Sequence, residues 1–232
     1  MTTLYQYEIS PFCDKIRRIL NIKQVPYRVE NVTVLDTLKG RLKKLSPAAK
    51  LPVLDIDGQR IADSTDIALF LDARYPEPPL IPRDPRERAM VHVLEDWADE
   101  SLYFYEVRLR LTVPHNARRW IPEVVKEDGA FIKAIAGKVM PVEMRKVTHA
   151  QGVGRKTDEA VRTELERHFN ALERMLDGND WLVGKAITLA DIAVFAQMYC
   201  LAGTVEGSDL LRGFDGVRAW MARVDVATAA KA

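Results

Sequence analysis

Cysteine is nearly missing from these 232 residues: Cys13 and Cys200 are the two that occur. Neither belongs to a C-x-x-C pair or a His-containing ligand pattern, so neither a disulfide framework nor a structural zinc is expected. No run of about 18 apolar residues is present, so no segment is expected to span a membrane. An excess of one charge is also lacking, since 34 basic and 33 acidic residues leave a net +1, which argues against a dedicated nucleic-acid binder. The N-terminus has no basic segment followed by an apolar stretch, and a cytoplasmic protein is expected. The four histidines (92, 115, 149, 168) are scattered and make no triad pattern.

What is there suffices for a core, with 47% apolar residues in a length that fits one large or two small domains. The most informative stretch is Ser10-Pro11-Phe12-Cys13, which follows the strand-like Leu4-Tyr5-Gln6-Tyr7. Ser10 reads as a helix N-cap accepting the Cys13 amide, and Pro11 as the first helical residue, where its missing N–H costs nothing. A helix N-terminus favours a thiolate over a thiol, so thiol chemistry is expected there. Capping alone would also explain the Ser-Pro pair, and Cys13 would also serve as a small buried residue.

Strands are expected at 3–9 and 27–34, flanking the helix opened by Pro11, which gives a right-handed parallel crossover. A basic helix over 35–45 follows. Pro52 opens a strand that turns at Asp57-Gly58 into a second one, and Asp63-Ser64 begins an apolar helix. The order βαβαββα is thioredoxin-like. A Pro-rich linker at 77–88 then separates residues 1–76 from an all-helical domain at 89–232. A long helix is expected over 86–111, short helices over 112–156, and an amphipathic helix over 157–176. Thr188-x-x-Asp191 makes a capping box for an apolar helix, with loss of Asp191 expected to cost on the order of 1 kcal/mol or more.

Residues 3–76 resemble the N-terminal domain of the glutathione transferase superfamily, and the helical half fits it too. The resemblance implies a cis-proline at Leu51-Pro52, glutathione contacts from Phe12, Lys50, Leu51, Pro52, Asp63 and Ser64, and a homodimer. Ser10 falls where relatives carry an activating Ser or a catalytic Cys, so Ser10, Cys13 and Tyr7 are the catalytic candidates. Ser-Pro-Phe-Cys also looks like a glutaredoxin motif without its first cysteine, which excludes two-cysteine cycling in this loop. Tyr103, Tyr105, Arg108 and Trp120 are candidates for the second-substrate pocket. Residues 105–162 hold twelve Lys/Arg against seven Asp/Glu, and 151–159 is similar to a stretch of the metaxin and failed-axon-connections branch. The expected function is conjugation of glutathione, as co-substrate and without a metal, to a small electrophile. The alternatives are a glutathione-dependent lyase or isomerase, a thiol transferase, or a non-catalytic interaction protein. An open cleft beside Ser10 lined by Tyr103, Tyr105 and Trp120 would favour an enzyme, and a filled one the interaction protein.

Overall fold

In the computed structural model, residues 1–230 are described. The N-terminal part runs β1 (Thr2–Gln6), α1 (Pro11–Ile22), β2 (Tyr27–Asn31), α2 (Val34–Leu38), α3 (Arg41–Leu45), β3 (Val53–Ile56), β4 (Gln59–Ala62) and α4 (Ser64–Arg74). The sheet order is β2-β1-β3-β4; β1 pairs parallel with β2, and β3 pairs antiparallel with both β1 and β4. This is the thioredoxin-like arrangement.

Three boundaries differ from the sequence reading, the first being that of β1, which ends at Gln6 rather than at residue 9. β2 stops at Asn31 because Thr33 and Asp36 form a capping box that starts α2. The helix expected over 35–45 is broken at Gly40, whose φ of 78° is a left-handed conformation that glycine adopts freely.

The helical part contains α5 (Pro85–Trp97), a π-helical turn (Ala98–Leu102), α6 (Tyr103–Val107), a second π-turn (Arg108–Thr112), α7 (Pro114–Val124), α8 (Ala130–Gln151), α9 (Asp158–Met175), α10 (Leu189–Ala202), α11 (Val205–Leu211) and α12 (Asp215–Thr228). α5 thus begins inside the stretch read as linker. Residues 112–156 hold two substantial helices rather than several short ones. Pro122 and Pro141 lie within them, and Ile132, Ala136 and Thr148 are the buried face that keeps α8 in place across its Gly137 and Pro141. Gly152 and Gly154 form the turn after α8; at Gly154 a Cβ would stand 2.6 Å from the His149 amide nitrogen.

α10 is buried on nearly every side and packs against α1 and α5, so one apolar core runs through both halves of the chain. Its capping Asp191 is wholly buried and accepts from the Leu182 and Thr188 amides, the Thr188 hydroxyl and Trp220 Nε1, each at 2.9 Å. Four bonds to one buried carboxylate stabilise more than a simple cap. Among the described residues no single helix is long and apolar enough to cross a membrane.

α7 and α8 form a hairpin with a second, smaller apolar cluster around Val107, Ile121 and Ile132. Its tip docks on the thioredoxin-like part. Asp128 accepts from the Val34 and Leu35 amides at 3.1 and 2.9 Å, Glu127 from Asn31 Nδ2 at 2.7 Å, and Lys126 pairs with Glu8. The free amides at the start of α2 are thereby satisfied from the hairpin.

Candidate active site

The loop after β1 delivers Ser10 to the start of α1. Ser10 has φ −76° and ψ 127°, the extended geometry of an N-cap, but its hydroxyl makes no capping bond, contrary to the sequence expectation. Ser10 instead lines a cavity of about 480 Å3. Tyr7, Phe12, Lys50, Leu51, Asp63 and Ser64 line the same cavity. Pro52 follows Leu51 through a cis peptide bond.

Cys13 is not in that wall. It is fully buried, and burial pushes its thiol up to about 11 although the neighbouring Ser10 hydroxyl opposes the shift, so it is a protonated core residue and not an exposed nucleophile. Tyr7 does face the cavity, with its phenol hydrogen-bonded to Thr37 Oγ1 on α2. Burial also raises the Tyr7 pKa, with the Thr37 bond opposing, which leaves a neutral hydroxyl. Ser10 is therefore the catalytic candidate with the best placement.

The opposite wall comes from α4 and α5. Asp63 sits at φ 80°, a region costing an L-residue about 1–3 kcal/mol, and caps α4 by accepting the Thr65 amide at 2.9 Å. Behind it lies a buried ionic cluster that sequence reasoning missed. Lys15 Nζ donates to Glu95 Oε1 at 2.8 Å and to Asp99 Oδ2 at 2.5 Å, and the Ser64 hydroxyl lies 3.4 Å from that Asp99 oxygen. Burial pushes the Asp99 carboxyl up to about 6 although Lys15 pulls it down. Among the described residues, Asp99 Oδ1 is buried without a hydrogen-bond partner. Since Glu95 and Asp99 line the cavity with Asp63, this end of it suits a ligand ammonium. The available signal was the i, i+4 spacing of Glu95 and Asp99, which puts both on one helix face.

Of the four residues expected around a second substrate, Tyr103 lines the cavity. The others are elsewhere, each held by hydrogen bonds of its own. Tyr105 points into the core, with its hydroxyl on Glu164 at 2.7 Å. Arg108 turns to the Lys156 carbonyl and Asp158. Trp120 donates to the Gly203 carbonyl at 3.1 Å and lines a separate cleft of about 630 Å3 with Gln6, Arg17, Asn31, Arg110 and Tyr199. Ser10 borders both spaces. Both cavities are open. Among the described residues, no group of three His, Cys, Asp or Glu side chains is placed to hold a metal ion.

A model described as the glutathione S-transferase N-terminal domain matches residues 4–79, and one for the C-terminal domain of that family matches residues 135–225. The chain is 39% identical over 87 residues to a probable maleylacetoacetate isomerase of Caenorhabditis elegans, a match covering 37% of this chain and 41% of that relative. It is 24% identical over 208 residues to a maleylacetoacetate isomerase of Dictyostelium discoideum, covering 85% of this chain and 78% of that one. The structure of the β-etherase LigF of Sphingobium sp. strain SYK-6 superposes with a TM-score of 0.68 at 23% identity, over 97% of this chain and 94% of the other, a likeness of fold.

Proposed function

The chain belongs to the glutathione S-transferase superfamily, and from that premise we propose that it binds glutathione in the Ser10 cavity and uses the thiol to isomerise a small unsaturated acid. The observation that carries this reading is the cavity itself, with Ser10 at the start of α1 at one end and the Asp63, Glu95 and Asp99 carboxylates at the other. The tripeptide's ammonium would meet the end of the cavity lined by Asp63, Glu95 and Asp99, its α-carboxylate Ser64 and the amides opening α4, its cysteinyl backbone Leu51 beside Pro52, and its glycyl carboxylate Lys50. The sulfur would lie near Ser10, whose hydroxyl donates to the thiolate while the free amides of α1 favour its charge.

Isomerisation is preferred to conjugation because several of the relatives are named maleylacetoacetate isomerases, although others are named glutathione S-transferases. The thiolate adds to one carbon of a double bond conjugated to a carbonyl, leaving a single bond that rotates. The C–S bond then breaks, the double bond re-forms, and thiolate and the other isomer are released with no change in oxidation state. Conjugation differs in that the C–S bond persists. Proximity and thiolate stabilisation are the enzyme's contributions. The Trp120 cleft on the other side of Ser10 suits the acceptor, with Gln6, Asn31, Arg17 and Arg110 as polar groups for its carboxylates.

Calorimetry with glutathione on the wild type and Ser64→Ala tests the site, and isomerisation of maleylacetoacetate with and without glutathione tests the reaction. Binding that the substitution abolishes, with glutathione-dependent turnover lowered in Ser10→Ala, supports the proposal. No binding at millimolar glutathione overturns it in favour of an interaction protein. Binding without isomerisation, together with a stable adduct to an electrophile, moves the reaction to conjugation.

A further inference from the structure

Arg110 reaches from the helical part to the loop that carries Ser10. It lies in the second π-turn and is buried, and its Nη1 donates to the Ile9 carbonyl at 3.0 Å and to Cys200 Sγ at 3.2 Å. Glu106, one turn earlier and wholly buried, holds the other side of the guanidinium: Oε1 accepts from Nη2 at 3.0 Å, and Oε2 stands 2.9 Å from Nε. Trp120 covers the flat face, with its ring 5.3 Å from the guanidinium carbon, and is itself tied to the Gly203 carbonyl. A Cβ at Gly203 would stand 2.4 Å from that ring, so the indole rests on bare backbone.

The Ile9 carbonyl and the Ser10 amide belong to one planar peptide unit. Its N–H donates to the Tyr7 carbonyl at 3.1 Å and its C=O accepts from Arg110, so the plane is pinned at both edges. The Ser10 hydroxyl makes no capping bond and so adds no anchor of its own. The direction of the side chain therefore follows from that plane. A second, exposed tie, from Arg17 Nη2 to the Glu8 carbonyl at 3.0 Å, fixes the preceding peptide and not this one.

A buried ion pair gives little net stability over apolar side chains of the same volume. What Glu106 and Arg110 supply is direction, because the rigid planar fork of a guanidinium can hold a carboxylate on one side and a carbonyl on the other. We propose that Arg110, held by Glu106, is a positioning residue that aims the Ser10 hydroxyl at the glutathione sulfur. This inference rests on the glutathione reading and adds to it the group that sets the geometry of Ser10. The leverage is large, since a misplacement of about 1 Å costs on the order of a hundredfold in rate.

The test is the thiol pKa of glutathione bound to the full chain, followed by the ultraviolet band of the thiolate with no acceptor present. Arg110→Lys keeps a cation beside Glu106 but loses the fork. The double variant Glu106→Leu/Arg110→Met replaces the pair by apolar side chains of similar volume, and its thermal midpoint should hold. In both, the bound thiol pKa should rise by about one unit, and kcat should fall by about tenfold with KM for glutathione within about twofold. In a Ser10→Ala background the same changes should add nothing, the mark of a residue that acts through another. Before any ligand is added, the Ser10 amide should exchange its hydrogen faster in Arg110→Lys, with the Leu182 amide unchanged. An unmoved thiol pKa in both variants would overturn the proposal, as would an equal shift in the Ser10→Ala background, which would make Arg110 act on the sulfur directly. Unaltered Ser10 exchange in Arg110→Lys would overturn it whatever the ligand. Failure of the wild type to bind millimolar glutathione would overturn it together with the reading it rests on, whereas normal binding with no shift overturns the positioning alone.

Discussion

Lys15 and Asp99 meet across the boundary between the two halves of the chain, Nζ to Oδ2 at 2.5 Å, with side-chain exposures of 1% and 9%. Glu95 shares the same ammonium. One cation is thus shared by two carboxylates in a place water hardly reaches, and Lys15→Met would leave those carboxylates facing each other uncompensated. The expected cost is about 3–5 kcal/mol, the usual range for removing one partner of a buried pair, read from the urea midpoint. A loss below about 1 kcal/mol would show that the cluster is better hydrated than its burial implies.

The same cluster sets a pH dependence for ligand binding. Asp99, held up at about 6, is neutral below that pH and charged above it. If an ammonium docks on it, glutathione affinity should rise as pH increases through about 6, and Asp99→Asn should be weaker and flat over that window. The sign for stability is opposite. A carboxyl whose folded pKa is raised contributes stability that is full below its unfolded value, near 3.8, and lost as pH rises through about 6, so Asp99→Asn should remove that downward slope. Calorimetry from pH 5 to 7.5 and urea unfolding over pH 4 to 7 measure the two limbs.

Both thiols should be silent in the native protein. Burial pushes Cys13 up to about 11 and Cys200 up to about 12, and both are buried in the core. A thiol reagent at pH 8 is expected to find neither cysteine until denaturant is added, when both react. One rapidly modified thiol would return Cys13 to the list of nucleophiles.

Asp128→Ala should loosen α2 at a distance. Two amides at the start of α2 lose their acceptor, which costs about 1–3 kcal/mol and frees the helix that carries the Thr37 partner of Tyr7. Faster hydrogen exchange at Val34 and Leu35, with α10 unchanged, is the expected signature. Uniform exchange across the protein would mean that the contact contributes nothing local.

The thioredoxin-like half was legible because its signals are local. Alternation in β1, Pro11 at a helix start and Asp57-Gly58 at a hairpin each act within a few residues, as does the Thr188–Asp191 cap in the helical half. The hairpin was not, because Gly137 and Pro141 look like breaks until burial of Ile132 and Ala136 outweighs them. Site residues on α5 and α6 were half legible for a geometric reason. Tyr103 and Tyr105 are two positions apart, so they point to nearly opposite sides of the helix, and the π-turns on either side shift the phase further. The family resemblance implied aromatics near the cavity; it could not say which side each would face.

Ser10 borders two separate spaces, one on the Tyr7 side of α1 and one on the Arg17 side. A hydroxyl in a partition with a mouth on each face serves two queues. A carrier held on one side does not obstruct the route of an acceptor arriving on the other, nor the departure of what is made. For a reaction run at that partition, initial rates should show the two molecules boarding in either order, and a dead-end occupant of one mouth should leave the affinity of the other largely intact.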